Sequence, residues 1–250
     1  MRKAILTVLS LLFLMPIGVL ILLSVAESWR FPMLLPQAIT FDYWKDFFRS
    51  SGNMNHSIGL SLLLAVTVAG AVTMAGFFTS KLVQKQENKR FLLQLAYFPY
   101  SFSPVIYAFC VQFLFLRLGL SGTFAGVWIA QFLLAFPFAV LLFSSHWTPV
   151  LFDMEQMVAT LGGNRWQAFR EVLFPMSKSI LMLAFFQTFL ISWFDYGLVS
   201  VIGVGKIQTL TVRTYQFVGE SNVYFAAIAS LLIIWPPLML WWVNRKFIFV

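Results

Sequence analysis

Charge is scarce in this sequence. Only 10% of its 250 residues are Asp, Glu, Lys or Arg, while 60% are hydrophobic. Soluble domains carry roughly 25% charged residues, and one water-exposed domain has no core large enough for such an apolar excess. The chain therefore reads as an all-α integral membrane protein, a single domain over residues 1–250. Cysteine is scarcer still. The one Cys, Cys110, forbids a disulfide within the chain and excludes a Cys-based metal cluster. Set in an apolar run, it reads as a small buried hydrophobe. His56 and His146 stand far apart near the ends of apolar runs, as interfacial rather than catalytic residues do. No GxxxxGK[ST], HExxH or GxSxG occurs. The chain is not expected to be an enzyme, to hold a metal, or to cradle nucleotide phosphates in that way, and energy for any work must come from a partner.

What is abundant is the long apolar run. A spanning helix needs about 20 apolar residues, and six stretches qualify: residues 4–26, 56–80, 91–116, 124–144, 179–202 and 224–243. The runs are continuous and do not alternate, so helices are predicted rather than barrel strands. The first run is longer than the roughly 7–15 apolar residues of a signal peptide, so it is expected to remain as a first helix. The net charge of +8 is spread between the runs and not gathered into one basic face, which speaks against nucleic acid as a partner. Placing the N-terminus in the cytoplasm puts Arg2, Lys3, Lys81, Lys85, Lys89, Arg90, Arg165, Arg170, Lys178, Arg245 and Lys246 inside. Arg30, Lys45, Arg49, Arg117, Lys206 and Arg213 then lie outside. The excess of basic residues inside predicts that both termini are cytoplasmic.

Residues 27–55 then lie outside. They hold Pro32, Pro36 and the aromatic patch at 41–48, which predicts a short helix at the membrane interface. The second run places Ser57, Ser61, Ala65, Ala69 and Thr73 on one face, where small side chains let helices approach closely. Gly122 and Gly126 form a GxxxG at the start of the fourth run and predict packing of the same kind. Pro16, Pro99, Pro104, Pro137, Pro236 and Pro237 fall within runs, where each removes a backbone bond and favours a kink.

The longest polar interruption, residues 145–178, is patterned beyond the needs of a connector. Gly162-Gly163 ends a first short helix, and Asn164 with Gln167 can cap a second. Trp166, Phe169, Val172 and Leu173 then share a face, and Pro175 marks a stop before the fifth span. Such a face fits either a groove in another protein or the chain's own bundle.

Leu161, Gly162, Trp166, Phe169, Val172 and Pro175 stand in the register of the pattern E-A-A-x-x-L-G-A-x-x-W-x-x-F-x-x-V-x-L-P. This loop resembles the EAA loop of the membrane permease subunits of binding-protein-dependent ABC importers. The resemblance implies the type I importer fold in a bacterial inner (cytoplasmic) membrane. It implies a coupling helix seated in a cleft of a cytoplasmic ATP-binding subunit, two copies of that subunit, a second identical or homologous permease, and an extracytoplasmic solute-binding protein. ATP and Mg would sit on the partner ATPase, with no cofactor on this chain. The coupling residues implied are Glu155, Gln156, Ala159, Leu161, Gly162, Gly163, Arg165, Trp166, Phe169 and Pro175. Two departures occur. Gln156, Met157 and Val158 stand where the pattern has E-A-A, with Glu155 adjacent, and Gly163 replaces the usual Ala.

A solute pathway would need polar groups within the spans. Asp195 is the one ionisable residue of the fifth run, and a charge there is a functional hypothesis by default. Thr188 and Ser192 share its face, with Gln187 and Tyr196 beside it. Its alternative role is a structural tie to Lys206 or Arg213. Gln94, Tyr97 and Gln131 are further lining candidates. The run Ser192-Trp-Phe-Asp-Tyr-Gly, with residues 208–212, is similar to permeases of the polyamine, thiamine, iron(III), sulfate and phosphonate group, so a small polar solute or ion is expected. The rival, a secondary carrier driven by an ion gradient, predicts several intramembrane ionisable residues, and the sequence offers one.

Overall fold

The computed structural model describes residues 2–27, 29, 33, 35–50 and 54–248. The described chain is helical, with one isolated antiparallel bridge between Ala26 and Ile39. In order the helices are α1 (Arg2–Val25), α2 (Asp42–Ser50), α3 (Met54–Gln84), α4 (Lys89–Tyr97), α5 (Pro104–Arg117), α6 (Phe124–Ser144), α7 (Pro149–Thr160), α8 (Arg165–Gln167), α9 (Phe174–Trp193), α10 (Gly197–Gly203), α11 (Leu210–Gly219) and α12 (Val223–Ile248). A 3-10 turn, Phe98–Ser101, joins α4 to α5, and a π turn, Ala168–Leu173, joins α8 to α9. The chain forms two compact units, residues 1–61 with 208–238, and residues 62–207 with 239–250.

Among the described residues four helical stretches are long and apolar enough to cross a membrane: Met54–Gln84, Phe124–Ser144, Arg165–Trp193 and Val223–Trp242. The span expected at 91–116 is broken at the prolines where the sequence favours a kink. Lys89–Ser101 and Pro104–Arg117 meet at 97°, and this pair makes a fifth crossing when counted as one. Pro explains the break. Ser103 precedes Pro104 and is extended, at φ −62° and ψ 143°, as is Phe102. A residue before Pro is driven out of the helical region by the pyrrolidine ring. The run at 4–26 is helical as α1, and its described apolar part, Leu14–Val25, is shorter than a crossing. The expected span at 179–202 ends at Trp193, and α10 begins anew at Gly197.

In the unit formed by residues 1–61 and 208–238, the aromatic patch forms α2 as the sequence predicts. Its inner face docks on protein. Phe47 is fully buried against Phe217 and Phe225, with centroids 6.0 and 5.6 Å away. Tyr43 stacks on Tyr224 at 4.7 Å and donates its hydroxyl to the Glu27 carbonyl. Phe41 and Phe48 face outward. Arg30 and Pro32 lie outside the described residues.

In the unit of residues 62–207 and 239–250, close helix approach does the packing. Ala65, Ala69 and Thr73 of the small-residue row on α3 are buried here, and Ser57 and Ser61, which belong to the other unit, are buried there. A Cβ on Gly76 would stand 2.5 Å from the Ala139 Cβ, so α3 and α6 nearly touch there, as helices without a hydrophobic driving force must. The GxxxG at 122–126 acts otherwise than the sequence suggests. Gly122 lies outside the helix at φ +72°, and a Cβ on Gly126 would lie 2.1 Å from the Leu120 carbonyl oxygen. This pair makes a tight turn into α6, capped by the Thr123 hydroxyl, which accepts from the Gly126 amide at 3.0 Å. Cys110 is exposed, on the outward side of α5 with Phe109 and Phe113, and is not the buried residue expected from its apolar setting.

Candidate functional site

Residues 145–178 fold into a helical hairpin. After α7 the chain closes in a two-bond C-terminal cap. The Gly163 amide donates to the Val158 carbonyl at 2.8 Å, and the Gly162 amide donates to the Ala159 carbonyl at 3.1 Å. Gly162 takes φ +83°, the left-handed position where a side chain is strained. Asn164 then opens α8 with a reciprocal box. Its Oδ1 accepts from the Gln167 amide and Gln167 Oε1 accepts from the Asn164 amide, both at 2.8 Å. Pro175 does not stop the helix, contrary to the pattern reading. Arg165–Trp193 runs on as one helical stretch, because the π turn before Pro175 shifts the backbone bonding. The Phe174 amide there donates five residues back, to Phe169. A bulge of this kind absorbs a register break that an unmodified α-helix would not.

The apolar face divides between the two fates left open by the sequence. Ala168 and Leu173 are buried, and the Phe169 ring packs 5.8 Å from that of Phe78 on α3. Trp166, stacked on Phe169 at 5.7 Å, points outward. So do Met157 and Leu161. Their exposures are 66% for Trp166, 64% for Met157 and 86% for Leu161. The hairpin is thus anchored by one side and presents an apolar tip. Its two departures from the pattern touch each other. A Cβ on Gly163 would meet Val158 Cγ1 at 2.5 Å and the Val158 carbonyl oxygen at 2.9 Å, so the turn itself demands Gly163 and Val158 tightens the demand.

Two residues that the sequence showed only as topology markers build the flank of this hairpin. Lys81 pairs with Glu155 and sits 5.7 Å over the Trp147 ring, and Trp147 donates its indole N–H to Ser80 Oγ at 2.8 Å. Lys85 lies 5.3 Å over the Phe152 ring. Between α7 and α8 is a cavity of about 220 Å³, lined among others by Gln156, Ala159, Gly163 and Arg165. A second, of about 430 Å³, opens beside it between α3 and Glu155. His146 Nε2 bonds Ser177 Oγ at 2.7 Å. Burial lowers its pKa below the usual 6.5.

The polar residues of the spans come together in part. Gln131 on α6 is buried, donates to Asp195 Oδ2 at 2.9 Å, and accepts from Ser192 Oγ at 2.6 Å. Asp195 Oδ1 accepts from the Leu198 amide at 3.1 Å, at the start of α10. The structural tie of Asp195 is therefore to Gln131 and a backbone amide, in place of Lys206, whose stem packs against Gly122. Thr188 is buried and donates to the Ala184 carbonyl at 2.8 Å, with Thr73 Oγ1 at 3.4 Å. Gln187 and Tyr196 are partly accessible, and Gln94 and Tyr97 are exposed on α4.

No profile of a known protein family matches the chain. It is 27% identical over 212 residues to sulfate permease 2 of the Chlamydomonas reinhardtii chloroplast, a match covering 76% of this chain and 56% of that one. It is 25% identical over 198 residues to the sulfate transport system permease protein CysW of Synechococcus elongatus, covering 72% and 69%. A ferric transport system permease, FbpB of Actinobacillus pleuropneumoniae, is 26% identical over 135 residues, covering 51% and 20%. The chain thus spans little more than half the length of the Chlamydomonas relative. In fold it is similar to a chain of a bacterial ABC transporter involved in the import of alginate. The TM-score is 0.59 at 18% identity, with 98% of this chain and 94% of that one covered. The chain is a multi-pass inner-membrane protein similar in sequence to ABC-importer permeases, and its fold is like that of an ABC importer chain.

Proposed function

We propose that this chain is the membrane permease of an ABC importer, forming half of a solute pathway and docking a cytoplasmic ATP-binding subunit through the 145–178 hairpin. The observation that carries this is the exposed apolar tip of Met157, Leu161 and Trp166 on a hairpin rigidly capped at both sides of its turn. Single exposed apolar side chains are ordinary, but several grouped at the capped tip of a polar loop favour a partner that covers them. Two ATP-binding subunits, a second permease and an external solute-binding protein complete the assembly, with ATP and Mg held by the ATPase. Catalysis belongs to that partner. The solute is a small polar molecule or ion, of the kind named by the sulfate and ferric relatives.

Within the spans we assign different duties to the polar residues. Gln131, Ser192 and Asp195 satisfy one another or the backbone and so hold the helix break after α9, while Thr188 is satisfied within α9 and by Thr73. Gln94, Tyr97, Gln187 and Tyr196 retain accessible surface and are the pathway candidates.

Co-purification tests the docking reading. The tagged chain is extracted in mild detergent, and wild type is compared with a Gly162→Glu, Trp166→Ala variant. A stoichiometric ATPase that is lost from the folded variant is the expected result. A wild-type chain that purifies alone and still transports overturns the reading in favour of a secondary carrier.

A further inference from the structure

We infer that the flank of the hairpin is a cationic seat for a carboxylate-bearing segment of the ATP-binding subunit, so that this chain supplies positive charge to the contact. This rests on the docking reading above. Glu155 is the acid nearest the place where the loop pattern puts its Glu, and it is engaged by Lys81 on α3. Gln156 carries no charge. No acid is therefore left at that position for a partner cation.

The opposite sign is available. The two adjoining cavities share Lys85, Glu155 and Arg165 in their walls. With Lys81, the charged groups facing them are three cations and one carboxylate. Among the described residues, neither Lys85 nor Arg165 has an ion-pair partner, and both are exposed. The Lys85 ammonium lies over the Phe152 ring and has hydrogens left to donate to an anion. Asp153 and Glu171 are on the same hairpin but line neither cavity. A planar guanidinium and a point ammonium flanking one opening match a carboxylate well. The seat adjoins the apolar tip through Arg165 and Trp166, so one partner surface can cover both.

Zero-length carbodiimide coupling of the purified complex, followed by peptide mass spectrometry, tests this directly. The expected product joins the Lys85 amine to an Asp or Glu of the ATP-binding subunit. The internal Lys81–Glu155 link serves as the positive control. A Lys85→Glu, Arg165→Glu variant of unchanged elution volume should retain ATPase on the order of tenfold less well, whereas Lys85→Arg with Arg165→Lys should retain it. Retention of the ATPase by the charge-reversed variant, with no Lys85 link formed, overturns the cationic seat. So does loss of bound anionic phospholipid in place of the ATPase. If the Gly162→Glu, Trp166→Ala variant also keeps its ATPase, the docking reading itself fails, and the two failures are thereby told apart.

Discussion

The hairpin and the helix break after α9 solve opposite problems. At the break, polar groups sit inside an apolar bundle, and their contacts are internal: Gln131 to Ser192 and Asp195, Asp195 to the Leu198 amide. At the hairpin, apolar groups sit in the longest polar interruption of the chain, and Leu161 and, apart from its stack on Phe169, Trp166 are exposed. A group placed against its surroundings costs free energy unless something compensates. At the break the compensation lies within the chain. At the hairpin it does not, which points outside. The difference separates structural polarity from functional exposure more surely than the mere presence of a charge in a span.

The sharpest way to break this comparison is at Asp195. Asp195→Ala leaves the Leu198 N–H without its acceptor and the Gln131 amide with only the more distant Ser192 carbonyl, 3.4 Å away, at a cost of about 2–3 kcal/mol. The melting temperature in detergent should fall by roughly 5 °C or more. Asp195→Asn keeps an oxygen for the Leu198 amide but turns an NH2 toward Gln131 Nε2, so Gln131 must flip its amide and give up its bond from Ser192 Oγ. It should melt between the Ala variant and wild type, about 2–4 °C below wild type, while sustaining uptake. Normal assembly with abolished uptake in Asp195→Asn would instead make the carboxylate part of the pathway.

Much of this was legible in the sequence, for local reasons. The Gly162-Gly163 stop and the Asn164–Gln167 box depend on neighbours three or four residues apart, and sequence displays such spacings. The buried row from Ser57 to Thr73 was legible because a helix repeats. Four features were not. Pro99 and Pro104 signalled a kink, but hydropathy averaged over 91–116 conceals that it is as sharp as 97°, because apolarity is unaffected by chain direction. Gly122 and Gly126 share a helical spacing without sharing a helix. The partner of Asp195 is 64 residues away in sequence, and nothing local distinguishes Gln131 from a cation as that partner. The engagement of Glu155 by Lys81 was hidden for the same reason.

A smaller effect tests the hairpin's own packing. Gly163→Ala places a Cβ 2.5 Å from Val158 Cγ1 and 2.9 Å from the Val158 carbonyl oxygen. Overpacking of this kind costs about 1–2 kcal/mol, and ATPase retention should fall severalfold as the tip is displaced. Val158→Ala removes only the side-chain part of the clash, so the double variant should recover part of the loss. Full retention by Gly163→Ala alone would show that the turn shifts freely, and that the tip is not held rigidly.

The smallest effect concerns pH, and it tests whether the base of the hairpin is as closed as its tip is open. His146 is half-buried beside Trp147, with its Nε2 on Ser177 Oγ. Its pKa is lowered by burial, so the fold favours the neutral ring over the charged one. The corresponding stability is fully present above the ordinary value near 6.5. It is lost as pH falls through that value, and the loss is complete below the lowered pKa of the folded state. The melting temperature of wild type should therefore decline more between pH 7.5 and pH 5, working values of about these sizes, than that of His146→Gln. Glutamine offers hydrogen-bonding groups without titrating. Equal declines would mean that water reaches the imidazole, and that the hairpin is loose where it joins α6 as well as exposed at its turn.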